Sequence, residues 1–547
     1  MKKQIMFVIL FYLANFCFAL TGAKYLIITS DSYVSALQPL ADWKTKKGVK
    51  AMIVPTSVTG SSSSQIKNYI TNAYNTWDIR PEYILIAGSS SSVPASGSSD
   101  DYYADMTGSF RIELSVGRFP CSSVSQIQNL VAKSLAYART PDMSDSTWFI
   151  KGTTIVREDN ASPPDNVFWE NVRYVHNFWR HCYYAQIDSF SSARGNNSTN
   201  VSNAINNGRV FVLFRGESVT NWWNPFAMTP SNLTNGYKTP VVISGTCATA
   251  SITSTGYLAD QFVNAGTASS LKGAVGFFGT TVVATGSNLA LNRGVVSKAF
   301  FDAVFGCGLH SMGDAAKYAK LIIDSMQPPS YSSVRYSEWE LFGDPELSIW
   351  TGIPQPLTLL YDTVITASPQ TYTVTVRRGN NNLASALVCL MMDTTIYEYG
   401  RTNNSGEVTF TISPSVIGTM SLTVTAQNCL PYEKVVTIIA PGVNEGEVQP
   451  ANLPNITLLN ASKPNPMTNG FTQISYTISE PTNAALRIYD ASGKLVKTLV
   501  DECKSSGVYS VSWDGRDDAN RKVAEGIYFY TLETPKQNYT KKLIFIK

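Results

Sequence analysis

The sequence predicts an α/β domain with parallel strands and helices on both faces of the sheet, followed by two all-β domains. Three observations predict it. Between residues 20 and about 350, short apolar, β-branched runs alternate with longer amphipathic stretches, the pattern of strands joined by crossover helices. After Gly352-Ile353-Pro354 that alternation stops, and period-two patterning takes over, with turn signals such as Asn403-Asn404-Ser405-Gly406. Residues 441–454, PGVNEGEVQPANLP, have linker composition and divide the all-β part in two.

The elements follow in order. YLIIT at 25–29 reads as a strand, 37–47 as a helix ending at Gly48, 49–54 as a strand, 64–75 as a helix and YILIA at 83–87 as a strand. A serine-rich loop over 89–99, a candidate cover for a site, precedes a strand at 112–117 and a helix over 123–140. The next block gives a strand at 150–156, a helix over 166–181, a strand at 184–189, a helix closing at 202–207, and strands at 210–214 and 241–244. A helix at 257–265, a strand at 273–278 and helices over 293–305 and 312–325 complete it. The two halves, about 20–145 and 146–352, form either one sheet or two adjacent ones. Residues 353–440 have the size of an immunoglobulin-like sandwich. Residues 455–547 carry six further strands, at 473–478, 485–489, 494–499, 508–513, 526–533 and 539–546.

At 547 residues the chain is long enough for three or four domains, and 44% hydrophobic content supports packed cores. The formal charge of +3 includes Lys2 and Lys3 and leaves no bulk electrostatic footprint for nucleic acid. Residues 1–19 read as a secretory signal: Lys2-Lys3, an apolar run over 5–13, and the small-x-small site Cys17-Phe18-Ala19. No other stretch reaches the length of a spanning helix, so the mature chain is expected outside the inner membrane with no transmembrane helix. Eight cysteines include Cys17, and the odd number left after cleavage means at least one unpaired thiol; Cys389 and Cys429 are a candidate pair. There is no C-x-x-C, and histidine is confined to His176, His181 and His310, which argues against a zinc site.

Chemistry is concentrated in 209–250. The strand at 210–214 stops at Arg215-Gly216-Glu217-Ser218, and the strand at 241–244 stops at Gly245-Thr246-Cys247. Ligands in open α/β sheets gather at the carboxyl ends of strands. Cys247 at such an end is a candidate nucleophile, provided that a partner takes its proton. Glu217, Trp222 and Trp223 are candidate substrate contacts. The tryptophans are also candidate cation–π partners for Arg215, and Glu217 could take a proton if burial raised its pKa.

At these residues the 20–352 block resembles the catalytic domain of the gingipain family of cysteine peptidases. The resemblance is carried by YLIITSDSY, YILIAG at 83–88, ELSVGRF at 113–119, the loop 212–218, ISGTC, GAVGFFGTT at 273–281 and FGDPELSIW at 342–350. It implies a caspase-like fold and a dyad: a histidine in a Gly-His-Gly loop after one strand, a cysteine after the next, with an acidic residue assisting. Carried over, Cys247 matches the nucleophile and Glu113 the acid, while Arg215 occupies the position expected for histidine. Arginine stays protonated and cannot serve as the base. The resemblance requires no cofactor, though structural calcium is a family feature for which Asp100, Asp101 and Asp105 are candidates; no other metal ligands are assigned.

The last block resembles the sorting domains of the type IX secretion route of Bacteroidetes, through Lys463-Pro464-Asn465-Pro466, LRIYDASGKLVKTL, SWDGRDDANRKVAEGIYFY and the final KKLIFIK. That resemblance implies secretion or display at a bacterial cell surface, with the secretion machinery as a partner. Two function classes follow: a cysteine peptidase cleaving protein or peptide substrates through Cys247 with impaired turnover, or an inactive peptidase-fold protein that binds peptides or surface partners.

Overall fold

The computed structural model describes residues 21–546 apart from 110, 159–163, 284–288, 327–337, 393–394, 442–456, 463, 468–470 and 505–506. The expected signal at 1–19, all but the first residue of the expected linker at 441–454, and Lys463 lie outside the described residues. The chain divides into two compact units, one up to Ala440 and one from Pro441.

The first unit is built on one ten-stranded sheet. Its strands in chain order are β1 (Tyr25–Thr29), β2 (Ala51–Pro55), β3 (Tyr83–Ala87), β4 (Ser115–Phe119), β5 (Lys151–Val156), β6 (Gln186–Ser191), β7 (Phe211–Arg215), β8 (Val241–Gly245), β9 (Gly276–Thr280) and β10 (Trp339–Gly343). They lie in the order β2-β1-β3-β4-β10-β9-β8-β7-β5-β6, which joins the two halves in a single sheet. Neighbours are parallel except around β10, which pairs antiparallel with β9 from Gly276↔Gly343 to Thr280↔Trp339 and bridges β4 at Phe342↔Arg118. Gly343 and Pro345 lie against Gly117, and Gly313 lies against both Pro345 and Ser115, so β1–β9 run one way and β10 the other. The carboxyl ends of β5–β9 share an edge with the carboxyl ends of β1–β4: Asp100 N–H, beyond β3, donates to Glu340, which pairs with Gly279 near the end of β9.

Every residue of β7, β8, β9 and β10 is buried, as expected where helices cover both faces. Alternate side chains enter opposite cores. Val212 and Phe214 pack with Ile27, Leu85 and Phe262; Phe211 and Leu213 pack with Trp179, Ile243 and Phe300. The covering helices are α1 (Val34–Lys46), α2 (Ser63–Thr76), α3 (Val124–Ala138), α4 (Pro164–His181), α5 (Ser198–Asn206), α6 (Leu258–Asn264), α7 (Leu289–Phe301) and α8 (Met312–Ser325). α2 starts at a capping box formed by Ser62 and Gln65. α4 presses Trp179 so close to β5 that a Cβ on Gly152 would stand 2.6 Å from the ring.

Several boundaries differ from the sequence pattern by a few residues. β4 begins at Ser115 rather than 112, because the N–H groups of Glu113 and Leu114 bond to Ala104 O. β6 begins at Gln186 rather than 184, because Tyr184 N–H donates to Trp179 O and closes α4. α7 starts at Leu289 and passes into a π-turn over Asp302–Gly306. β10, WELFG, was not recognisable as a strand.

Residues 357–439 form two facing sheets, with Gln370–Arg378 pairing Glu407–Ile412 in one and Gly418–Thr425 central in the other. Cys389 and Cys429 are separate buried thiols, not a disulfide: Cys389 points its sulfur at Thr45 O, 3.8 Å away. The second unit has three- and four-stranded sheets, with Thr472–Ile478 paired to Gly507–Trp513 and Thr482–Asp490 paired to Gly526–Glu533.

Under the sheet, Arg118 donates from Nε and Nη2 to Asp100 at 2.6 and 2.7 Å, both side chains fully buried. Removing one partner of such a pair strands the other charge. Asp100→Ala is expected to lower unfolding free energy by about 3 kcal/mol or more in urea titrations, whereas an exposed pair such as Lys536–Glu480 removed in the same way should cost under about 1 kcal/mol.

Candidate active site

β8 places Gly245 opposite Arg215 of β7, and β5 places Val156 opposite the same arginine. Three adjacent carboxyl ends thus deliver Arg157, Arg215 to Glu217, and Thr246-Cys247 to one edge. The cysteine turn is held by hydroxyls: Thr246 Oγ1 donates to Gly216 O at 2.6 Å, Ser218 Oγ donates to Cys247 O, and Thr280 Oγ1 donates to Thr246 O. Ala248 N–H donates to Val282 O at 3.1 Å, and Thr220 N–H to Ala248 O at 2.7 Å. Val219, Trp223 and Val283 are exposed on these surrounding loops.

Cys247 is half-buried, and its Sγ accepts from Arg293 Nη1 at 3.1 Å. Arg293 comes from α7 and is 6% exposed. Its Nε and Nη2 have no hydrogen-bond partner among the described residues. Sequence reasoning missed this residue; its one signal is a lone arginine in the otherwise largely apolar run LALNRGVVSKAFF.

Arg215 is fully buried, donates from Nη1 to Gly245 O, and lies over the Phe168 ring at 5.0 Å. A Cβ at position 245 would stand 2.6 Å from that nitrogen, so the glycine admits the guanidinium. Burial first, and Arg293 second, push its pKa down to about 9, against the pull of Glu217. It remains a cation at neutral pH.

The tryptophans differ from expectation. Trp222 is a core residue, 1% exposed, stacked on Phe214 at 4.5 Å and donating from Nε1 to Ser244 Oγ at 2.9 Å. Trp223 is exposed and pairs with Arg157, 5.3 Å from the ring, while the ring beside Arg215 is Phe168. Glu217 sits near enough to Arg215 to act on its charge, and its carbonyl accepts from Trp223 N–H at 3.2 Å.

Glu113 precedes the amino end of β4 and so lies on the opposite sheet edge from Cys247, with β10 and β9 between its strand and β8. Its carboxylate accepts from Met106 N–H at 2.6 Å and Thr107 Oγ1 at 2.8 Å. The 89–99 loop leaves the carboxyl end of β3, on the same sheet edge as Cys247, and is pinned there by Arg118 on Gly88 O and Val93 O. Asp100, Asp101 and Asp105 do not converge: they bind Arg118, Lys320 and the Gly108 and Ser109 N–H groups respectively. Among the described residues no three such side chains are grouped to hold a metal.

None of the three histidines bonds to Cys247. His176 Nε2 pairs with Thr154 Oγ1 at 2.8 Å, and His181 Nδ1 with Asn177 O at 2.6 Å. His310 precedes Met312, which packs on Gly276 at the amino end of β9, the far edge from Cys247. Burial, then Arg180, push the His176 pKa down to about 4. The unfolded chain takes up that proton near pH 6.5 while the fold resists until about pH 4, so stability should fall on acidification across that window. His176→Gln should flatten the slope of unfolding free energy against pH there; an unchanged slope would remove His176 as its source.

Comparison with known proteins places this geometry. The Peptidase family C25 profile matches residues 18–350, and the FlgD Ig-like domain profile matches 467–538. Gingipain R2 of Porphyromonas gingivalis is 21% identical over 546 residues, 96% of this chain and 68% of its own. Lys-gingipain HG66 of the same species is 21% identical over 76% of this chain, which spans 25% of that longer protein. The crystal structure of the Arg-specific cysteine proteinase gingipain R superposes with a TM-score of 0.70 at 18% identity, covering 76% of this chain and 98% of that one. More than half of the sequence matches one family, its fold is that family's caspase-like α/β fold, and the chain belongs to the C25 family of gingipain-like cysteine peptidases.

Proposed function

We propose that this is a secreted C25 protein that holds peptides at the shared carboxyl edge of β5, β7 and β8 and hydrolyses them poorly, because Arg215 stands where an active member has its histidine. The observation that carries the reading is the arginine pair around the thiol. Arg293 donates to Sγ and Arg215 donates to Gly245 O, and a guanidinium has no lone pair with which to accept a proton. Thiolate attack on a peptide carbonyl forms the C–S bond; the C–N bond then breaks productively only if the departing nitrogen receives a proton. Without that donor the tetrahedral adduct collapses back to thiolate and peptide. A missing general acid–base costs about 10²–10⁴-fold.

Peptide binding is supported by Val219, Trp223 and Val283, apolar and exposed on loops bonded to the cysteine turn. In this reading Glu113 secures the 104–113 loop. The C-terminal unit acts as the secretion address that brings the protein to the cell surface. That part rests on its sequence resemblance and on the two-sheet architecture. No helix among the described residues is long and apolar enough to cross a membrane.

The test is to incubate the mature protein with a chloromethyl-ketone peptide and with a mixed peptide library. Cys247 should be alkylated, labelling should vanish in Cys247→Ala, and library cleavage should be absent or at least about 100-fold below an active cysteine peptidase. Arg215→His should raise cleavage. Efficient wild-type cleavage abolished by Cys247→Ala would contradict the reading.

A further inference from the structure

We propose that the cysteine site recognises a carboxylate, seated on the Nε–Nη2 edge of Arg293 beside the Cys247 sulfur. The inference rests on the peptide-binding reading of that site and names the chemical class of what it binds. Arg293 is more than nine-tenths buried; one nitrogen is committed to sulfur, and the other two, which form one side of the guanidinium fork, have no partner among the described residues. A buried donor pair left unmatched is costly.

The same edge is occupied elsewhere in the chain. Arg118 gives Nε and Nη2 to Asp100 at 2.6 and 2.7 Å, Arg139 gives them to Glu433 at 2.7 and 2.8 Å, and Arg209 gives them to Asp188 at 2.7 and 2.5 Å. Each holds a carboxylate on two N–H groups; Arg118 and Arg139 engage both oxygens, the fork geometry for which guanidinium is suited, and Arg209 directs both N–H groups at one. The charge around Cys247 points the same way. Arg293 acts on the charge of Arg215 there, and Arg157, at the end of the neighbouring strand, also has a buried Nη1 with no partner among the described residues. On these loops Glu158 is taken up by Ser191, Ser192, Ala193 N–H and Trp169, and Glu217 sits beside Arg215. An incoming carboxylate supplies the acceptors that the Arg293 Nε–Nη2 edge lacks among the described residues. It belongs either to an acidic side chain next to the reacting carbonyl or to a peptide's free C-terminus.

The experiment compares alkylation of the full chain by iodoacetate and iodoacetamide, read residue by residue by mass spectrometry. In both reactions sulfur displaces iodide at carbon; only iodoacetate carries the anion. The exposed thiols Cys307 and Cys503 are internal references. Cys247 should favour iodoacetate by about tenfold or more relative to them. Arg293→Gln should bring the ratio back to theirs, and Arg293→Lys should retain part of it. Protection by Ala-Ala-Asp-amide assigns the carboxylate to a side chain, and protection by Ala-Ala-Ala with a free C-terminus assigns it to the chain end. A Cys247 ratio equal to the references, or equal protection by Ala-Ala-Asn-amide, overturns the proposal. If Cys247 reacts with neither reagent, the thiol reading of the site fails alone. Calorimetric binding of the same three peptides then decides the carboxylate preference, which equal affinities would contradict.

Discussion

The common direction of β5, β7, β8 and β9 determines which edge of the sheet carries the chemistry, and the pairing of β9 with antiparallel β10 joins them to β1–β4. Gly276 faces Gly343 at one end of this pair, and the absence of side chains there lets Met312 of α8 pack against both. Met312 and Gly313 of α8 reach Gly276 and Ser115 together, so the amino ends of the two half-sheets share one edge and their carboxyl ends the other. The ends of β5, β7 and β8 then lie side by side, and the two glycines of the turns, Gly216 and Gly245, leave space for arginine side chains. Gly245 takes Arg215 of the neighbouring strand, and Gly216 is met by the Cβ of Arg157 at what would be 2.7 Å.

That geometry assembles donors. Arginine is the cation best suited to burial, being weakly hydrated and planar, but its charge still needs a partner. At this edge part of that demand is met by Gly245 O, the Phe168 ring, Glu217 and the Cys247 sulfur. The resulting site is well provided for holding an anion and poorly provided for moving a proton. These are separable properties: the first needs only fixed positive charge, whereas the second needs a group whose pKa lies near the working pH.

Much of the fold was legible in the sequence because parallel, doubly covered strands read as continuous apolar runs; YLIIT, YILIA and VVIS fall in or on β1, β3 and β8. β10 was hidden because Trp339–Gly343 carries a glutamate and only five residues, and its neighbours in the sheet are far away in sequence. At the site, Cys247 and Arg215 were found because each directly follows or ends an apolar strand. Arg293 was missed because its contact with Cys247 spans 46 residues and depends on how α7 packs, which periodicity does not reveal. Trp222 misled for a related reason. A tryptophan beside a charged turn suggests a pocket wall, but Ser244 supplies an acceptor for its Nε1 and Phe214 a stacking face, so it is buried in the core.

The central claim is that the Cys247 site can form a covalent bond to carbon but cannot supply a proton to a leaving amine. It is tested most directly by giving the full chain one acyl group on two leaving groups: a peptide p-nitrophenyl ester, whose phenolate departs without protonation, and the matching peptide amide. The account predicts stoichiometric acylation of Cys247 by the ester, visible as an intact-mass adduct, with no acylation or turnover of the amide on the same timescale. Comparable turnover of the amide, lost in Cys247→Ala, would contradict it.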